Sequence, residues 1–462
     1  MSGIFIKPTV AEQFRAFLAR GRVLFFSAPC GCGKTALAEE LLKGKAVYRL
    51  FAGEADFAFP QEEDWDILLI EDFQRLQEDA EQKALCEWIR NYPEKRFVLL
   101  SRGTPPGYLM AFQYAGLMQV LDTYALLFDR EETRSFFQEK GVKITDSELT
   151  KIMELTSGFP LGIAITARNM AQGRPLSSEL VAQGFREVFH YFETAVYRQF
   201  DLPVRRFLLE LSLFESFDLE MVRMVSGDPR AGELLDWLQH NTTMMRYDGI
   251  QKFHFWSQFR EFLLWEMGRE YSEEKRRILF NRGGLYYELK EEYPHALDCY
   301  TKGGDYAKVS ELLTRNAEQH PGMGHYYELE KYYRGLPESE ILASPALMQG
   351  MSMLCSLEAD YDASERWYEE LKQFAHRCGK QDAAGKQARS RLAWLDISLP
   401  QRAVEKLTDM IPAVFQLMRN KEITLPPFSV TSTLPSIMNG GKDFSAWSKR
   451  DDFLYQTIRI PV

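Results

Sequence analysis

The chain has 462 residues, of which 45% are hydrophobic and 26% charged, so it is too long for one core and divides into about three or four folded domains. A formal net charge of −10 excludes a free-standing nucleic-acid binder, which needs a surplus of Lys and Arg on one face. No apolar run reaches the roughly 18 to 20 residues that cross a bilayer, the N-terminus lacks a signal-sequence pattern, and six scattered cysteines make no disulfide framework; no membrane contact and a cytoplasmic location are expected.

Up to about residue 130, short apolar runs alternate with amphipathic stretches. RVLFFSA (22–28), WDILLIED (65–72) and KRFVLLSR (95–102) have strand length and are apolar on both faces, which is how buried parallel strands read. An αβα sandwich with a parallel sheet is therefore expected over 1–130. After Asp129 the pattern turns helical, and DREETRSFFQEKG (129–141) and DSELTKIMELTSGFPLGIAITARNM (146–170) each open on an Asp able to cap a helix. This predicts a helical domain over 131–195. A compact block over 196–272 reads as helices followed by a β hairpin at MMRYDGIQKFHF (244–255), with Asp248-Gly249 as its turn.

From 273 to 462 the sequence is almost wholly helical. Gly284, Tyr287, Ala296 and Tyr300 recur at the spacing of the tetratricopeptide pattern, in which small residues let paired helices approach and aromatics fill the gap. A weaker echo lies at YDASERWYEEL (361–371), where Ala363 and Trp367 match the second helix only. The expected reading is an irregular helical-repeat arm, with an ordinary helical bundle as the alternative. The stop at YQTIRIPV (455–462), without a polar capping helix, reads as a truncation.

The chemistry concentrates in FFSAPCGCGKTALAEELL (25–42). Gly31 and Gly33 let the backbone curl with its N–H groups inward around phosphates; Lys34 adds a point charge, Thr35 a hydroxyl for Mg²⁺, and the helix opening there its positive dipole end. The full pattern has glycine where this chain has Ala28, which fits if its φ is negative. Cys30 and Cys32 fall on positions the loop leaves free; they read as small tolerated side chains, because a zinc site wants four ligands and a bridge would distort the curl. Some thiol sensitivity stays open, since a helix N-terminus lowers a thiol pKa. ILLIED ends in Glu71 and Asp72, of which one can hold Mg²⁺ through water and the next orient an attacking water. A solvated helix cap is the plainer reading of that pair. Ser101 and Arg102 end the third run, where a polar pair can sense a terminal phosphate, or Arg102 is a surface charge.

Taken together these motifs resemble the MalT-like, LuxR-type large ATP-binding regulators of the STAND class, signal-transduction ATPases with numerous domains, along essentially the whole chain. SAPCGCGKTAL is similar to that family's loop, in which Ala28 is usual. ILLIED resembles its paired-Asp motif with Glu71 in place of the first Asp; LLSRGTPP resembles its first sensor and points to Arg102. SGFPLGI resembles the Gly-x-Pro motif, implying that Pro160 packs near the base. FHFWSQFREFL resembles a winged-helix segment, implying a winged-helix domain over 196–272 and His254 as a contact for bound ADP. LPESEILASPALM (336–348) and LPSIMNGGKDFS (434–445) are similar to the opening of the helical sensor arm.

What the resemblance implies is an ATP/ADP-dependent switch that uses Mg²⁺. A small-molecule or protein inducer on the arm favours exchange of ADP for ATP and self-association, with DNA bound only through a C-terminal helix-turn-helix domain absent from this chain. Two rivals stand beside it: a STAND-type signalling ATPase that acts through a protein partner without DNA, and a catalytic P-loop enzyme such as a kinase.

Overall fold

Runs of Val, Ile, Leu and Phe without polar alternation are stable only between two covering layers, and here they form the middle of a parallel sheet. The computed structural model describes residues 4–54, 57–60, 64–319, 326–379 and 381–399, and positions 401, 412 and 415. Strands β1 (Val23–Ser27), β2 (Val47–Phe51), β3 (Ile67–Glu71), β4 (Arg96–Ser101) and β5 (Met118–Asp122) stand in the order β2-β3-β4-β1-β5, every pair parallel. Helices α1 (Pro8–Arg20), α2 (Lys34–Leu41), α3 (Asp79–Asn91), α4 (Met110–Tyr114) and α5 (Thr123–Leu126) connect and cover them. Leu85 and Ile89 of α3 pack into one core with Leu68, Ile70, Phe97 and Leu99 from the sheet. This is the P-loop NTPase sandwich expected from the sequence.

The two strands that sequence reading passed over are the outer ones. β2 carries Arg49 within VYRLF and exposes Val47, Tyr48 and Phe51, so it lacks the unbroken apolar run of a buried strand. The central order matters for chemistry. Because β1, β3 and β4 run parallel and in register, they bring the loop after Ser27, the acids at Glu71–Asp72 and the pair Ser101–Arg102 to one edge of the sheet.

The next helices are α6 (Arg130–Glu139), α7 (Asp146–Thr156), α8 (Pro160–Ala171) and α9 (Ser178–Ala195). Asp129 caps α6 in a reciprocal box with Glu132, as its position predicts. At α7 the cap is Thr145, boxed with Glu148, and Asp146 is the first helical residue. The stretch 146–170 also breaks in two at Ser157, which takes the left-handed conformation, before Pro160 restarts the chain as α8. Phe136, Phe137, Ile152 and Ile163 form the core of this helical layer.

A second small fold follows, built from α10 (Leu202–Ser212), α11 (Leu219–Ser226), α12 (Ala231–Asn241), β6 (Met245–Tyr247), β7 (Phe253–Phe255) and α13 (Ser257–Glu270). β6 and β7 pair antiparallel, and Phe217 adds a bridge to Phe253. The turn is closed by Asp248, whose Oδ1 accepts the amides of Ile250, Gln251 and Lys252. Three helices followed by a two-stranded wing make a winged helix, and α13 closes it.

The chain divides into two compact units at Ser272/Glu273. The second unit is helical: α14 (Glu273–Leu289), α15 (Tyr293–Gly303), α16 (Tyr306–Gln319), α17 (Glu330–Gly335), α18 (Glu338–Leu342), α19 (Pro345–Leu357), α20 (Tyr361–Arg377) and α21 (Ala383–Ser398). α14 and α15 pair as the repeat pattern predicts. A Cβ added at Gly284 would lie 2.7 Å from the Tyr300 ring, so only glycine permits this approach. In the α19–α20 pair the close contact is made by Ser352 and Ser364, which exchange hydroxyl–carbonyl hydrogen bonds, while Trp367 is buried beside them and Ala363 is half-buried. The segments LPSIMNGGKDFS and YQTIRIPV lie outside the described residues. Among the described residues no helix is long and apolar enough to cross a membrane.

Candidate functional site

Between β1 and α2 the chain must reverse tightly while presenting amides inward, and two residues do this. Gly31 and Gly33 have φ of 89° and 77°, in the left-handed region that costs a side-chain-bearing residue roughly 1–2 kcal/mol, and Gly33 caps α2. Ala28 is absent from the residues with positive φ, which meets the condition on which alanine can replace glycine there. Gly31 is also sterically fixed. A Cβ would fall 2.7 Å from the ring of Phe159, which precedes Pro160, and 3.3 Å from Leu161. The Gly-x-Pro segment thus packs on the phosphate loop through Phe159 and Leu161, with Pro160 holding the first turn of α8.

Lys34 Nζ donates to the loop's own carbonyls, Ala28 O at 2.6 Å and Pro29 O at 3.0 Å, so the ammonium sits inside the curl. Burial there pulls its pKa below the ordinary lysine range. Thr35 Oγ1 donates to Glu71 Oε2 at 3.0 Å. An octahedral Mg²⁺ with bonds of about 2.0–2.1 Å places adjacent ligand oxygens about 3 Å apart, so these two oxygens already have the spacing of neighbouring ligands. Among the described residues no cluster of three His, Cys, Asp or Glu forms a separate metal site.

Asp72 takes the left-handed conformation, φ 48°, at the entrance to the turn Phe73–Arg75, and its side chain caps nothing. It accepts from Gln74 Nε2 at 3.2 Å and pairs with Arg102 Nη2 at 3.2 Å. Arg102 is the most connected residue of the edge. Its amide donates to Gln74 Oε1 at 2.9 Å, its Nη1 donates to Ala195 O at the end of α9, and its carbonyl accepts Thr243 N at 2.7 Å from the winged helix. Ser101 is buried, and its Oγ accepts the Gly103 amide.

The remaining walls bring α9 and the winged helix up to the phosphate loop. Cys30 Sγ lies 2.9 Å from Tyr191 Oη on α9. Cys32 is buried, and that burial pushes its thiol up to about 12. Pro29 and Cys30 share a cleft with Gln74, Arg102, Asn241 and Met244, and a second cleft joins Pro29 to Phe159, Trp256 and Gln258. Gln258 Nε2 donates to Thr156 O at 2.6 Å, and the Trp256 ring meets Tyr124 at 5.6 Å, fastening the start of α13 to the end of α7 and to α5 of the sandwich. Ala28, Gly31, Gly33, Lys34, Thr35, Glu71, Asp72 and Arg102 are therefore gathered at one edge. His254 is not among the residues lining either cleft. Strand alternation turns it away from buried Phe253 and Phe255, toward Glu215 O at 3.2 Å and Asp248 Oδ2 at 3.7 Å.

Residues 193–275 match the family model of the MalT winged helix domain, which coincides with the wing-bearing fold described above. The chain is similar to the HTH-type transcriptional regulator MalT of Vibrio campbellii, 22% identical over 384 residues covering 79% of this chain and 42% of that protein. The MalT of Yersinia enterocolitica is likewise 22% identical, over 73% of this chain and 38% of that protein. The chain thus spans about two-fifths of the length of these curated relatives. Among solved structures, a STAND protein with a tetratricopeptide repeat sensor from Pyrococcus horikoshii aligns over 98% of this chain and 68% of its own at 17% identity and a TM-score of 0.36. A Walker-type ATPase of Pyrococcus abyssi covers 56% of this chain and 96% of its own at 12% identity and a TM-score of 0.46. At those scores the shape match adds nothing to the topology read directly from the sheet.

Proposed function

We propose that this MalT-like chain, with its MalT winged helix domain and P-loop sandwich, is the nucleotide-controlled switch of a transcriptional regulator. ADP holds the winged helix against the sandwich, and an inducer on the helical arm favours release, exchange for ATP and self-association. The observation that carries the reading is the position of Arg102. One residue at the mouth of the phosphate loop ties together an acid of the sheet edge, the end of α9 and the first strand region of the winged helix. A terminal phosphate that draws the Arg102 side chain takes it from Asp72 and from Ala195 O at the end of α9, and leaves the winged helix held at this residue by the Arg102 carbonyl alone.

In this reading Lys34 turns from the loop carbonyls to phosphate oxygens, and the amides around Gly31 and Gly33 take the remainder. Thr35 and Glu71 hold Mg²⁺, which supplies charge neutralisation at the phosphates. Asp72 orients water for slow hydrolysis that times the switch. Binding of DNA belongs to a segment beyond this chain; the acidic balance of the present residues supports that division.

The test is ADP and ATP affinity, with steady-state hydrolysis, on the chain without any effector. Tighter binding of ADP with slow turnover is expected. Rapid turnover, or no preference between the two nucleotides, would overturn the switch and favour a catalytic P-loop enzyme.

A further inference from the structure

The edge strand places an arginine on the carboxylate that the metal needs. Arg49 stands opposite Leu69 in the β2–β3 register and Phe51 opposite Glu71, so Arg49 and Glu71 are diagonal neighbours on one face of the sheet. The Arg49 guanidinium is bound to Glu71 Oε1 while Thr35 Oγ1 holds Oε2. Its Nη1 lies 3.0 Å from Glu39 Oε1, and its guanidinium carbon is 5.3 Å from the centre of the Phe51 ring. Thr35 and Glu39 are four residues apart on α2 and therefore face the same way. The result is a closed ring, Thr35–Glu71–Arg49–Glu39, shut by one turn of helix.

Glutamate at position 71 is what closes this ring. Its extra methylene relative to aspartate lets one oxygen reach the α2 hydroxyl while the other meets an arginine two strand positions back. Arg49 has a second anchor in exposed Glu39, so it can give up Glu71 without losing every partner. We propose that Arg49 is a positioning residue that competes with the divalent cation for Glu71, and so sets the magnesium requirement for nucleotide binding. This rests on the nucleotide-binding reading above. A unit charge and a divalent ion about 5 Å apart at a near-water dielectric, suited to the partly exposed Arg49 side chain, repel enough to change binding on the order of tenfold.

The experiment titrates Mg²⁺ against ADP on the full chain, and compares ADP affinity with magnesium and with chelator, in the wild type, Arg49→Gln, Arg49→Lys and Glu39→Gln. Arg49→Gln is expected to raise the ratio of the two affinities on the order of tenfold and to lower the half-saturating Mg²⁺ concentration by a similar factor. Arg49→Lys, which keeps the charge, is expected to stay near the wild-type ratio. Glu39→Gln removes the second anchor and is expected to lower the ratio. An unchanged or lower ratio in Arg49→Gln overturns the proposal, as does an Arg49→Lys that behaves like Gln. If Arg49→Gln does not fold, the Glu39→Gln result decides, and a ratio at or above wild type overturns it. Failure of the wild type to bind ADP at all overturns the nucleotide reading and this inference with it; metal-dependent binding that the variants leave alone overturns this inference only.

Discussion

Adding one methyl group at Gly103 should open the contact between the sandwich and the winged helix. An ideal Cβ at that position lies 2.5 Å from the carbonyl oxygen of His240 and 3.4 Å from Asn241, all backbone atoms that no rotamer change can move. Relief to an ordinary contact of about 3.4 Å requires the two backbones to part by roughly 0.9 Å, an overpacking that costs about 1–3 kcal/mol. The neighbouring hydrogen bond from Thr243 N to Arg102 O, 2.7 Å, is lost or stretched, adding about 1 kcal/mol. A total near 3 kcal/mol shifts the closed-to-open ratio by about 150-fold. The assay is the dissociation rate of ADP from Gly103→Ala, alongside Gly107→Ala, whose added Cβ has no atom within 4 Å. Faster release in Gly103→Ala alone is expected, with the thermal unfolding of the sandwich retained. ADP release at the wild-type rate from a folded Gly103→Ala would show that this contact does not hold the nucleotide, and the closed-state account would fail.

Two further outcomes follow from packing and burial. Because burial raises the Cys32 pKa to about 12, the thiol stays neutral and unreactive at pH 8 in the folded chain; prompt alkylation there, mapped by mass spectrometry, would contradict the assignment of this cysteine as a buried spectator. In the arm, Gly284→Ala gains about 1 kcal/mol of helix propensity but drives a methyl into the Tyr300 ring, which its hydroxyl anchors to Glu288 at 2.7 Å. Overpacking of about 2–3 kcal/mol wins, so a net loss of about 1–2 kcal/mol is expected in urea unfolding, and a stabilised variant would refute the close-approach argument.

The parts of the site that were legible in the sequence are those fixed by local chemistry. A buried strand, a glycine curl and a lysine follow one another without interruption, the carboxylates come directly after the apolar run 67–70, and Arg102 follows the run 97–100 with only Ser101 between. Register in the parallel sheet then brings them together, with no further information needed. Asp72 shows how geometry separates two readings of one residue. It stands where a helix cap would, yet its Oδ1 goes to Gln74 and Arg102.

What could not be read depends on partners far along the chain. Tyr191, Met244, Trp256 and Gln258 come to the phosphate loop from α9, the winged-helix hairpin and the start of α13, and nothing in their local sequence marks that approach. Arg49 lies on an edge strand whose mixed, exposed pattern hides the strand itself. For His254 the flanking phenylalanines did carry a signal: alternation along a strand with both neighbours buried points the histidine to the other face, and there it meets Asp248 and Glu215.

The central claim is that the loop from Ala28 to Thr35 binds a nucleotide. Calorimetric titration of ADP with magnesium into the wild type and into Lys34→Ala tests it most directly. Saturable binding at one site in the wild type and none measurable in the variant is expected; equal affinity in the two would contradict the account.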